Sequence, residues 1–104
     1  MNTYRDLVYS FGANPRDVHT VPLDGREPIW FYTYAEDGVL YVEAGRDHFP
    51  KSTISGRHKI NPSEFELMLD IYRRRKQGKA VSQEASMATM CQVYWYGIFS
   101  DLKL

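Results

Sequence analysis

Apolar residues return at helical spacing near the start of the chain, where Tyr4, Leu7, Val8 and Phe11 follow Thr3, with Asp6 three residues beyond it. That pattern predicts a short helix capped by Thr3 and stopped by Gly12. The period then changes. "ANPR" is a turn, "DVHTVPL" reads as a strand with Pro22 near its end, as suits a sheet edge, and "DGREP" turns the chain again. The run "IWFYTYAEDGVLYVEAG" is two β-rich segments joined by Asp37-Gly38, a dipeptide suited to a two-residue hairpin turn.

The turn fixes the register of the hairpin. If Glu36 pairs with Val39, then Ala35 lies opposite Leu40, Thr33 opposite Val42 and Phe31 opposite Ala44, and these six residues form one mostly apolar face. The other face carries Trp30, Tyr32, Tyr34, Tyr41 and Glu43, with Tyr34 opposite Tyr41. After the loop "GRDHFPKS", "TISGRHKI" alternates as a fourth strand with a bulge at Gly56. Ile54, His58 and Ile60 then share one side, Arg57 and Lys59 the other.

Asn61, Pro62 and Glu64 mark a helix start, with Glu64 placed to reach back to the cap. Phe65, Met68, Leu69 and Tyr72 form the stripe of this helix, and Gly78 ends it. A last helix is expected from Ser82, as its cap, through Leu102, with Ala88, Cys91, Trp95, Ile98 and Leu102 along one side. "QVYWYGIF" is β-prone by composition, but the helical spacing is favoured. The expected architecture is α+β: a short N-terminal helix, a three- or four-stranded antiparallel meander and a C-terminal pair of helices, in one domain over residues 1–104.

Composition narrows the class. A chain of 104 residues that is 43% hydrophobic and 25% charged is globular rather than disordered. The single cysteine, Cys91, excludes an intramolecular disulfide and a cysteine zinc cage, which fits a reducing compartment. No apolar run reaches the roughly 20 residues needed to span a bilayer, and "MNTYRDLVYSF" lacks the plan of a secretory signal. The expectation is a cytoplasmic protein without a membrane partner.

Net charge is zero, but the charge is unevenly placed. Residues 45–81 hold nine cations against four anions, and "DIYRRRKQGK" contains five of those cations. Positive side chains in a last helical turn complement the helix dipole, and Asp70 can pair with Arg74. Four consecutive cations exceed that need. The segment therefore suggests a nucleic-acid or other polyanion partner, with Arg57, Lys59, Arg73, Arg74 and Lys76 as phosphate contacts, provided they converge in space. A helix-turn-helix reading of the two terminal helices is disfavoured, because "CQVYWYGIF" is too apolar for a groove.

Trp30, Tyr32, Tyr34 and Tyr41 have three readings. Burial under the amphipathic helices is the default for large rings. Exposed, they could stack single-stranded bases or form an interaction surface for a protein partner or a homo-oligomer. Catalytic signals are sparse: Asp47 and His48 lie in a loop, His58 in a strand between apolar neighbours, and no nucleophile or phosphate-cradling loop accompanies them. His19, His48 and His58 lack metal-ligand spacing, and Cys91 reads as a buried inert thiol. The sequence thus favours a binding domain over an enzyme, with no cofactor or metal, and a protein-interaction or self-assembling domain as the alternative.

Overall fold

In the computed structural model, which describes residues 3–104, the first helix, α1 (Tyr4–Ala13), begins with a capping box. The Thr3 hydroxyl accepts the Asp6 amide at 3.3 Å, and the Asp6 carboxylate accepts the Thr3 amide at 2.9 Å. The helix passes through Gly12 and ends one residue later, where Asn14 donates its amide to the Ser10 carbonyl. Leu7 and Phe11 are buried.

Four antiparallel strands follow in sequential order: β1 (Arg16–His19), β2 (Trp30–Glu36), β3 (Val39–Ala44) and β4 (His58–Ile60). The β2–β3 register is the one the turn predicts, from Glu36 opposite Val39 to Phe31 opposite Ala44. Asp37 and Gly38 adopt φ of 51° and 78°, the paired positive values of a type I′ turn, whose twist matches that of the strands it joins. Tyr4 ties α1 to the sheet: its hydroxyl donates to the Ile60 carbonyl at 2.5 Å and accepts the Leu40 amide at 2.8 Å. Those two residues face each other across β3 and β4.

β4 is shorter than its alternation suggests. Residues 45–52 fold back beside the start of β2, where the Trp30 amide donates to the Pro50 carbonyl and the Ser52 amide to the Trp30 carbonyl. β3 has ended by then, so this returning segment takes the pairing position next to Trp30. His58, placed by the alternation in a strand between apolar neighbours, is instead exposed at the start of β4.

A 3₁₀ turn (Pro62–Glu64), capped by the Asn61 side chain, leads into α2 (Phe65–Lys76). Bonds from the Gly78 amide to the Arg75 carbonyl and from the Lys79 amide to the Arg74 carbonyl close α2. The expected single last helix is two: α3 (Ser82–Ala88) and α4 (Gln92–Asp101). Ser82 makes no side-chain cap; it is the first helical residue. The break lies at Thr89, which is buried and extended, with its hydroxyl donating to Glu64 at 2.7 Å and accepting the Cys91 amide at 2.9 Å. Glu64 also accepts the Trp95 indole N–H at 3.1 Å. Its carboxylate therefore joins the helices and does not reach back to the cap as its spacing suggests. Cys91 is half-buried at this break, where burial and then the charge of Glu64 push its thiol pKa up.

The core is continuous. Phe31, Leu40, Val42 and Ile60 from the sheet meet Leu7 and Phe11 of α1, Phe65 and Met68 of α2, and Trp95, Ile98 and Phe99 of α4. α4 crosses β1 at Gly97, where a Cβ would lie 2.6 Å from the His19 carbonyl oxygen and 2.9 Å from the Phe31 ring. All helices lie on the Phe31–Leu40 side. This overturns the default burial of Trp30, Tyr32, Tyr34 and Tyr41: the helices cover the opposite face, and the four rings are only partly shielded. Among the described residues no helix is long and apolar enough to cross a membrane.

Candidate functional site

The face of the sheet away from the helices is built in rows by the strand registers. His19 and Trp30 form the first row, Asp17, Tyr32 and Glu43 the second, and Tyr34, Tyr41 and Lys59 the third. The rings contact along and across strands, with centroids 5.8 Å apart for Tyr32 and Tyr34 and 5.7 Å for Tyr34 and Tyr41. Two guanidinium groups lie over this ladder. Arg46 sits 3.7 Å from the Tyr32 ring centroid and Arg57 3.9 Å from that of Tyr41.

Carboxylates position these cations. Arg57 lies 3.5 Å from the Tyr34 hydroxyl and pairs with Glu36, and these contacts raise its pKa above its ordinary value. Arg46 approaches Glu43 at 3.8 Å, while the Tyr34 hydroxyl donates to Glu43 at 2.7 Å. The Tyr34 hydroxyl is pushed up, first by desolvation and then by Glu43, against the opposing effect of Arg57. Lys59, opposite Tyr41, is exposed and forms no ion pair among the described residues.

The loop that carries Arg46 is held by Asp17. Its side chain is fully enclosed and accepts the backbone amides of Arg46 at 2.9 Å, Asp47 at 2.7 Å and His48 at 3.0 Å, and His48 Nδ1 lies 3.0 Å away. Burial opposes the charge, but the Arg46 amide, the His48 ring and the other two amides outweigh it and hold the carboxyl pKa below its ordinary value. His48 in turn stacks on Trp30 at 4.0 Å, and His19 meets the same indole edge-on at 4.9 Å. The carboxylate partner of His48 is therefore Asp17 and not the adjacent Asp47.

The helical cations lie elsewhere. Arg73, Arg74 and Lys76 are in the last turn of α2, about 12 Å along the helix axis from its start beside β4. Arg74 donates to Asp70 at 3.0 Å and makes a two-pronged contact with Glu84 at 2.8 and 2.6 Å. Lys76 donates to the Leu104 carbonyl at 2.5 Å and lies 4.8 Å from the Tyr72 ring centroid. Arg73 is exposed and forms no ion pair among the described residues. The fold brings Arg57 and Lys59 to the aromatic face and leaves Arg73, Arg74 and Lys76 in the helical layer.

Sequence reasoning missed Arg46, Asp17 and the stacking of His48 on Trp30. Each depends on the β1–β2 register, which is set across a connection of ten residues without a turn motif to define it. Among the described residues no group of three or more His, Cys, Asp or Glu side chains is arranged to hold a metal ion. The open face offers planar surfaces for stacking, namely its rings and the guanidinium groups seated over Tyr32 and Tyr41, with Lys59 at its edge. No family model, curated protein or solved structure matches the chain.

Proposed function

We propose that this is an intracellular single-stranded nucleic-acid binding domain that uses the open sheet face and performs no catalysis. The observation that carries the reading is the ladder of Tyr32, Tyr34 and Tyr41 with Arg46 and Arg57 lying over two of its rings and Lys59 at its edge. Bases would take the ring faces that the two guanidinium groups now cover, and the three cations, with Arg46 and Arg57 swung aside, would contact phosphates on either side. Stacking of this kind contributes about 1–3 kcal/mol per base and tolerates any sequence. Arg73 and Lys79 would add only diffuse attraction from the helical layer, and Arg74 is neutralised by its carboxylates.

Fluorescence anisotropy with labelled single-stranded RNA or DNA tests the reading. Three phosphate contacts at about 0.7 released counterions each predict a slope of about −2 in log affinity against log salt. Tyr41→Ala is expected to weaken binding by about 10-fold or more, and Lys59→Glu to make the slope shallower. Absence of binding at low salt, or equal binding by wild type and Tyr41→Ala, refutes it.

A second reading, association with a protein or with another copy through the same rings, draws support from the pairing of Arg57 with Glu36 and of Arg46 with Glu43. Those pairs reduce the attraction of the face for a polyanion. Light scattering across a range of concentrations separates the readings, because self-association raises the apparent mass and Tyr41→Ala would abolish the rise.

A further inference from the structure

A groove of about 680 Å³ lies outside the sheet face, between the β1–β2 connection, the α2–α3 turn and α4. Its volume falls in the range of about 300–1,000 Å³ typical of small-molecule sites. Leu23, Ile29 and Val93 line it and remain 76%, 43% and 45% exposed, an unusual concentration of aliphatic surface in one concavity. They have not been buried by folding, although the adjoining Val81 and Tyr96 have.

The charges around the groove do not cancel. Asp24 and Arg26 form a pair at 2.7 Å, leaving Glu27 against Arg75 and Lys79. Arg75 donates one N–H to the Val21 carbonyl at 2.7 Å and lies 4.4 Å from the Tyr96 ring centroid, and neither it nor Lys79 forms an ion pair among the described residues. Glu84, the one acidic residue of α3, is occupied by both prongs of Arg74. The surplus is one positive charge beside an aliphatic wall, with guanidinium and ammonium donors still unused. That is the complement of a monoanion carrying an apolar chain.

We propose that this groove binds a medium-chain aliphatic carboxylate, with the carboxylate at Arg75 and Lys79 and the chain against Leu23, Ile29 and Val93. The site is separate from the aromatic face and does not depend on its function. A phosphate monoester carries nearly twice the charge and fits the single surplus less well.

Titration of the ¹⁵N-labelled protein with octanoate, octan-1-ol and octylamine tests the proposal. Octanoate is expected to shift the amides of Val21, Lys79 and Val93, leave those of Tyr34 and Tyr41 in place, and raise the melting temperature as it saturates. Octanol and octylamine are expected to bind at least about tenfold more weakly, the effect of losing one charge-assisted contact. Lys79→Glu, at an exposed residue without partners, is expected to reduce octanoate affinity about tenfold with folding intact. Arg75→Met tests the second donor. Equal binding of octanol and octanoate, shifts confined to the sheet face, or unaltered affinity in Lys79→Glu overturns the proposal. Tenfold tighter binding of an acetylated peptide ending in leucine overturns the assignment to a free acid.

Discussion

Replacing Asp17 with Asn removes the charge at the centre of the loop that carries Arg46. The Asp17 side chain is fully enclosed, with one oxygen accepting the Asp47 and His48 amides and lying near His48 Nδ1, while the other accepts the Arg46 amide at 2.9 Å, an amide that also reaches the first oxygen at 3.2 Å. The best orientation of an asparagine keeps its carbonyl at the busier position and turns its NH₂ towards the Arg46 N–H. The Arg46 amide then loses its shorter bond and keeps only the 3.2 Å one, costing about 1 kcal/mol, and the remaining bonds lose their ionic strengthening, at about 1 kcal/mol each. Together these give a destabilisation of about 3 kcal/mol. With an unfolding entropy of about 2.1 cal/mol/K per residue, the melting temperature should fall by about 14 °C. The pH dependence has a definite sign. Because the native carboxyl is held below its ordinary value of about 3.9, its stabilisation is complete above that value and is lost as pH falls through the lower native pKa. Urea titrations followed by circular dichroism, from neutral pH into acid, should show a weaker Asp17→Asn protein with a flatter acid limb. A loss below about 0.5 kcal/mol with an unchanged acid limb would refute the role assigned to Asp17.

Other substitutions probe separate parts of the account. Gly97→Ala places a methyl 2.6 Å from the His19 carbonyl oxygen, and overpacking of about 1–3 kcal/mol against a helix-propensity gain of about 1 kcal/mol predicts a net loss of up to about 2 kcal/mol in urea. Glu64→Leu leaves the Thr89 hydroxyl and Trp95 N–H without their acceptor and is expected to cost about 2–4 kcal/mol, with a change in tryptophan fluorescence marking the loosened α3–α4 junction. Arg74→Met removes contacts of partly exposed groups, so urea and anisotropy assays should show stability and nucleic-acid affinity close to wild type. Lys59→Glu should weaken binding without destabilising the fold.

The parts of this fold that were readable from sequence are those governed by neighbouring residues. Asp37-Gly38 determines the β2–β3 register because a two-residue turn allows little slip, and Thr3 with Asp6 starts α1 because both partners lie within one helical turn. The division between α3 and α4 was hidden, because apolar spacing continues through Thr89 and only its contact with Glu64, 25 residues earlier, pulls the chain out of the helix. Which hairpin face receives the helices was hidden for a similar reason: both faces are apolar enough to be covered. The open face gains partial cover from Arg46, Arg57 and His48, so large rings can remain there without helices above them. Consecutive cations in α2 looked like a site because charge is visible in sequence, whereas the carboxylate of Glu84 in the next helix is not visibly the partner of Arg74.

The claim that the aromatic sheet face takes up single-stranded nucleic acid is tested most directly by mapping where an oligonucleotide binds. Titration of the ¹⁵N-labelled protein with a short oligouridylate is predicted to shift the amides of Tyr32, Tyr34, Tyr41 and Lys59 together, along with Arg46, while those of Arg73 and Lys76 stay in place. Shifts concentrated on Arg73 to Lys76 with the β2–β3 hairpin unaffected, or no shifts at low salt, would contradict it.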